Sequence, residues 1–280
     1  MPEPIPFGQR LRSAMQASGP LCVGIDPHPA LLEAWGLENT ADGVRSFSLA
    51  VVEAMAGAAA ILKPQVALYE RFGSKGFGAL EDTLSAAKAA GLLTLADAKR
   101  GDIGSTMAAY ATAWLDDASP LASDAVTLSP YLGYESLRPA LDLAAATGRG
   151  VFVLGLTSNP EGPSVQHVGG ENSVAKTIID QVTAENSGAE DLGHIGLVVG
   201  ATIGDAPAKL GIDLAASKAP LLTPGLGAQG ATAADIAKSF VSSYGQVLGT
   251  SSRDILKAGP DKTALRDKAL RVRDELLAAS

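Results

Sequence analysis

Leu92-Leu93-Thr94-Leu95-Ala96-Asp97-Ala98-Lys99-Arg100-Gly101-Asp102-Ile103-Gly104-Ser105-Thr106 carries an apolar run straight into a cluster of charge. Leu92–Ala96 reads as a buried strand. Asp97 and Lys99 are two residues apart, so they share a face if the strand continues that far. Gly101 and Gly104 break the strand, and Met107–Leu115 reads as a helix with Ser105 or Thr106 near its cap. A carboxylate, an ammonium and a second carboxylate therefore stand where a strand opens into a loop. Ionised groups crowd a strand end only when they pair with one another or bind something. A purely structural ion-pair network is the plain alternative.

The same pattern recurs along the chain. Apolar runs ending in polar or glycine-rich residues fall at 21–26, 59–63, 92–97, 125–129, 151–157, 195–200, 220–223 and 246–250. Alanine-rich stretches with helical periodicity lie between them, at 44–55, 79–90, 137–146, 173–185 and 233–244. Strands alternating with helices imply parallel βαβ units. Eight units in 280 residues imply an α/β chain folded as a (β/α)8 TIM barrel, with a doubly wound open sheet as the alternative. No composition shift or low-complexity linker divides the sequence. Residues 1–280 read as a single domain with a leading helix, Phe7–Ser18, and a C-terminal tail helix, Lys262–Ala278.

Polar residues gather at the C-terminal ends of the runs: Asp26, Lys63, Asp97 with Lys99, Ser158-Asn159, Gly225–Gly230 and Ser251-Ser252-Arg253. In a barrel those ends form the active-site face. Lys63 follows Ala59-Ala60-Ile61-Leu62 and precedes Pro64, which favours extended geometry at a strand end. Asp26 before Pro27 is either a turn aspartate or an acceptor for ligand hydroxyls. Gly225-Leu226-Gly227-Ala228-Gln229-Gly230 fits G-x-G-x-x-G, but it lies in the seventh unit, and the following strand ends in Ser252-Arg253 rather than an acidic residue. That context argues against a dinucleotide fingerprint and for a phosphate site, with Gln229 donating a hydrogen bond and Arg253 a bidentate charge.

The net charge of −8 argues against nucleic acid and anionic membranes as partners. No run of about 18 apolar residues suggests a membrane span, and Met1-Pro2-Glu3-Pro4 does not resemble a secretory leader. The expected location is the cytoplasm. The lone Cys22, inside an apolar run, reads as a small core residue. His28, His167 and His194 are scattered without metal-ligand spacing, and His167 lies in a polar stretch expected to be a surface loop.

Two lysines and two or three aspartates opposite a phosphate site can hold an ammonium charged and aimed. At about 4 Å and an effective dielectric near 20, each opposite-charge contact is worth roughly 4 kcal/mol. Such an array can stabilise a developing carbanion and then protonate it. At this point the sequence resembles the orotidine 5′-phosphate decarboxylase family, in its bacterial type 2 branch. Asp97-Ala98-Lys99-Arg100-Gly101-Asp102-Ile103-Gly104-Ser105-Thr106 matches that family's D-x-K-x-x-D-I-x-x-T signature. Val23–Pro27, Leu62–Gln65, Thr223–Gly230 and Ser252-Arg253 follow in the family's order.

The resemblance implies a homodimeric barrel that converts orotidine 5′-monophosphate to uridine 5′-monophosphate and carbon dioxide with no cofactor and no metal. It implies that Lys99 donates the proton to C6 of the pyrimidine and that Lys63, Asp97 and Asp102 complete the charged array. Asp102 and Thr106 would reach across from the partner subunit. Asp26 would hold the ribose hydroxyls, Ser158 the pyrimidine edge, and Gln229 with Arg253 the phosphate. Two other readings stand beside it. One is a magnesium-dependent sugar-phosphate decarboxylase or aldolase sharing D-x-K-x-x-D, which a lysine at position 63 opposes. The other is a catalytically silent nucleotide-phosphate sensor, which has no need of a second buried carboxylate.

Overall fold

Eight short β-rich runs, each buried on both faces, can satisfy their backbone groups only by pairing with one another under a cover of helices. The computed structural model describes residues 4–227 and 230–279. Its strands are β1 (Leu21–Ile25), β2 (Ile61–Pro64), β3 (Leu93–Arg100), β4 (Ala125–Leu128), β5 (Gly150–Leu156), β6 (Ile195–Val199), β7 (Leu221–Pro224) and β8 (Val247–Ser251). All are parallel and pair in chain order, and β8 returns to β1 to close the barrel. The expected runs and the observed strands agree to within a few residues, and the open-sheet alternative is excluded by the closure.

Alternation within the strands sorts the core. Leu21, Val23 and Ile25 of β1 face the helical layer, while Cys22 faces the barrel interior with Ile61, Leu95, Ala125, Phe152 and Leu248. One period further along, the interior positions of β2, β3 and β4 are Lys63, Asp97 and Thr127. The polar layer therefore rests directly on an apolar one. The opposite mouth is plugged by the leading helix Phe7–Ser18, whose Phe7, Leu11 and Met15 join the interior cluster. Phe7 meets Phe152 edge-on, with ring centroids 5.9 Å apart. Gly150 makes room for that contact, since a Cβ there would stand 2.4 Å from the Phe7 ring.

Three local expectations are corrected. The helix after β3 starts at Gly104 with Ile103 at its N-cap, so Ser105 and Thr106 lie in its first turn and cap nothing. Residues 233–244 do not form one helix. An α-helix Ala233–Ser239, capped by Thr232 and Asp235, gives way to a 3-10 segment Val241–Gln246. Finally, β3 does not alternate simply to its end. Ala96 pairs with Val126 and Arg100 with Leu128, so three residues of β3 stand opposite one of β4. This is a bulge, the device by which a strand re-aims a side chain.

Phe7 is fully buried. Phe7→Ala is expected to destabilise the fold by about 3 kcal/mol in a urea titration, while turnover at saturating substrate is retained. A loss below about 1 kcal/mol would mean that the helix does not seal the barrel floor.

Candidate active site

The bulge in β3 holds the centre of the site. Asp97 is buried, and both of its carboxylate oxygens are bound. Oδ2 accepts from Lys63 Nζ at 2.9 Å, and Oδ1 accepts from Lys99 Nζ at 2.5 Å and from Thr127 Oγ1 at 3.0 Å. Lys99 has a φ of +47°, a left-handed conformation that costs a residue bearing a side chain about 1 kcal/mol. Its backbone N–H donates to Thr127 Oγ1 at 2.9 Å rather than to a ladder carbonyl. Lys63 Nζ also reaches Gln65 Oε1 at 3.4 Å.

The two lysines differ in exposure. The Lys63 side chain is 7% accessible and that of Lys99 45%, so Lys63 is a fixed counter-charge while Lys99 presents its ammonium to the opening. Burial alone would lower the Lys63 pKa, but the Asp97 and Asp26 carboxylates outweigh it and hold the ammonium above its ordinary value. Burial would raise the Asp97 carboxyl, yet Lys63 and Lys99 together hold it well below the usual carboxylate range. Cys22 lies beneath this layer, and burial pushes its thiol up to about 12 against the lowering effect of Lys63. It is the buried core residue expected.

A cavity of about 720 Å³ opens above the array, lined by Lys63, Asp97, Lys99, Thr157, Ser158 and Gln166 and floored by Leu154, Val198 and Leu222. Gln166 was not apparent in the sequence. It belongs to the polar stretch expected to be a surface loop, yet it folds back. Its Oε1 accepts from Thr157 N at 2.9 Å, and its Nε2 donates to Thr157 Oγ1 at 2.7 Å.

Around the rim, at the ends of β1 and β8, polar atoms are buried without partners. Asp26 Oδ1, Ser251 Oγ and Ser252 Oγ make no hydrogen bond among the described residues. Asp26 Oδ1 and Ser252 Oγ both border the bare Cα of Gly24, where a Cβ would lie 3.1 and 2.9 Å from them. Open polar atoms at the mouth of a barrel are available to the hydroxyls or phosphate of a ligand. Beside them is a cleft of about 180 Å³ lined by Gly227, Arg253, Asp254 and Lys257. Asp254 is paired with Lys268 at 2.8 Å, whereas Arg253 and Lys257 have no carboxylate partner among the described residues. The cleft is thus cationic. Lys257, one helical turn beyond Arg253, was not singled out from sequence. Gln229 lies outside the described residues.

The structure brings Lys63, Asp97 and Lys99 together and sets Asp26 and Arg253 on the same face. Asp102 stands apart from them within its own chain. It is half-exposed, and its Oδ1 accepts from Ile103 N at 2.8 Å. Thr106 is exposed on the first turn of the next helix. Both face outward beside Ile103, Tyr131 and Leu132, three exposed apolar side chains on adjacent loops.

Residues 19–267 match the model of the orotidine 5′-phosphate decarboxylase / HUMPS family. The chain belongs to this family. A curated relative, the orotidine 5′-phosphate decarboxylase of Streptomyces coelicolor, is 55% identical over 277 residues, which is 98% of each chain. A crystal structure from Streptomyces avermitilis, assigned to the same activity, is 53% identical and superposes with a TM-score of 0.95 over 99% of this chain and 96% of its own. The Leishmania donovani OMP decarboxylase is 28% identical with a TM-score of 0.78, covering 98% of this chain and 99% of that one.

The shifts at Asp97 and Lys63 set the pH response of stability. A carboxyl held below its unfolded value contributes fully above that value, near pH 4, and loses its contribution as pH falls further. A raised lysine contributes fully below its unfolded value near 10.4 and loses its contribution as pH climbs through the folded one. The urea midpoint of the wild type is therefore expected to fall on the acid side of about pH 4, and Asp97→Asn to flatten that limb. Identical acid limbs in both proteins would remove Asp97 as the linked group.

Proposed function

We propose that the chain decarboxylates orotidine 5′-monophosphate to uridine 5′-monophosphate, as a carboxy-lyase of pyrimidine nucleotide synthesis. The observation that carries the reading is the Asp97 carboxylate held between two ammonium groups at 2.9 and 2.5 Å under a nucleotide-sized cavity.

The nucleotide's 5′-phosphate lies in the small cleft, where Arg253 and Lys257 meet its two negative charges. Gln229, outside the described residues, is read from the sequence alone as a further donor to that phosphate. Asp26 Oδ1 accepts from the ribose hydroxyls, and Ser158 meets the pyrimidine edge. The substrate carboxylate then points toward Asp97, and this repulsion is relieved as carbon dioxide departs. The C6–carboxyl bond breaks with its electron pair left on C6. The ammonium of Lys99 stabilises that pair and delivers a proton to C6, and the neutral amine regains its proton from solvent. Lys63 stays charged throughout and keeps Asp97 ionised.

No metal or cofactor takes part in this scheme. A magnesium-dependent relative would carry an acidic ligand for the ion at position 63, whereas here the Lys63 ammonium stands there and donates to Asp97 Oδ2. The protein works as a cytoplasmic homodimer in which Asp102 and Thr106 enter the partner's site. The exposed apolar group Ile103, Tyr131 and Leu132 beside them supports this arrangement, because it provides a surface for a second copy to cover.

Lys99→Ala is expected to remove nearly all turnover of orotidine 5′-monophosphate in a protein that still folds. A modest loss would move the proton donor elsewhere, to Lys63 first. Mixing Lys99→Ala with Asp102→Ala protein should regenerate about a quarter of wild-type activity, since half of the dimers are hybrids and each hybrid has one intact site. Mixtures that stay inactive after demonstrated subunit exchange would place Asp102 in its own chain's site.

A further inference from the structure

Thr127 has no part in the scheme above, yet it is fully buried directly opposite the bulge. On β4 it stands between Val126 and Leu128, the partners of Ala96 and Arg100, so Asp97, Ala98 and Lys99 all fall across from it. A bulge leaves backbone groups without ladder partners. The Thr127 hydroxyl takes one of them, accepting from Lys99 N at 2.9 Å. With that lone pair engaged, its single proton goes to Asp97 Oδ1 at 3.0 Å. Lys99 Nζ completes the ring at 2.5 Å on the same oxygen.

We propose that Thr127 is a positioning residue of the decarboxylation: its hydroxyl ties the backbone of Lys99 to the carboxylate that the Lys99 ammonium must face. The inference rests on the functional reading above and adds to it the part that aims the donor. The left-handed backbone of Lys99 is disfavoured for a residue with a side chain and persists only where its surroundings over-determine it. Thr127 supplies that determination from a neighbouring strand. Its Oγ1 fixes where the Lys99 backbone lies relative to Asp97, and hence the direction from which the ammonium approaches C6. Thr127 does not line the cavity over the array, so its effect should fall on the chemical step and not on binding.

The test compares Thr127→Val, which keeps the shape and removes the hydroxyl, with Thr127→Ser, which keeps the hydroxyl. Thr127→Val is expected to lower kcat roughly ten- to a hundredfold, the scale of a misplaced catalytic group, with KM and uridine 5′-monophosphate affinity within about threefold of wild type. Thr127→Ser should restore kcat to within about threefold. A folded Thr127→Val with unchanged kcat would overturn the proposal, and so would a Thr127→Ser enzyme as slow as the valine variant. If Thr127→Val does not fold, Thr127→Ala against Thr127→Ser carries the same two outcomes. Failure of the wild-type protein itself to consume orotidine 5′-monophosphate would instead refute the functional reading.

Discussion

One buried carboxylate governs this molecule. Asp97 carries its charge inside a barrel whose interior is otherwise apolar below it, and a lone charge there would neutralise rather than stay ionised. It stays ionised because Lys63 and Lys99 each put an ammonium on it and Thr127 adds a neutral donor. The dependence is mutual. Lys63 is as deeply buried as Asp97 and keeps its proton because Asp97 and Asp26 are near. Removing either partner strands the other. Such pairs add little net stability over an apolar equivalent, so their value lies in the field they create at the floor of the cavity.

The fold supplies that field cheaply. Barrel strands turn alternate residues inward, and an apolar layer of Cys22, Ile61, Leu95 and Phe152, sealed from below by Phe7, excludes water from beneath the charges. The low local dielectric makes every contact above it stronger than in solvent. The segment after β8 contributes positive charge at the other end of the same face. Arg253 and Lys257 stand in a cleft of about 180 Å³, apart from the 720 Å³ cavity and joined to it by the few residues between Pro224 and Gly227. In the proposed reading, a nucleotide held by its phosphate at one end has its base carried to the other, so binding energy remote from the reacting carbon serves to place a carboxylate against Asp97.

Much of this was legible in the sequence because it rests on period and position. Apolar runs ending in polar or glycine-rich residues mark the strands and point to one end of the barrel as its polar face. Lys63, Asp97, Lys99, Asp26 and Arg253 stand out in the sequence because charge at the end of an apolar run is conspicuous, and the barrel gathers them on one face. What escaped depended on departures from the period or on contacts distant in sequence. The bulge at 97–99 has no local signal beyond Gly101, and so the left-handed Lys99 and the role of Thr127 stayed hidden. Its one trace was an inward-facing hydroxyl in an otherwise apolar run. Gln166 escapes a sequence reading because the polar stretch around it reads as loop and conceals a fold-back onto Thr157. Lys257 looked like an ordinary surface lysine until the short helix Arg253–Leu256 set it one turn from Arg253.

The most direct test of the central claim is the ultraviolet absorbance of orotidine 5′-monophosphate mixed with the purified protein in buffer containing a strong metal chelator. Rapid loss of the substrate band, with uridine 5′-monophosphate and carbon dioxide formed in equal amounts, is the predicted result. A folded protein that leaves the band unchanged, and that turns over only sugar phosphates on addition of magnesium, would contradict the account.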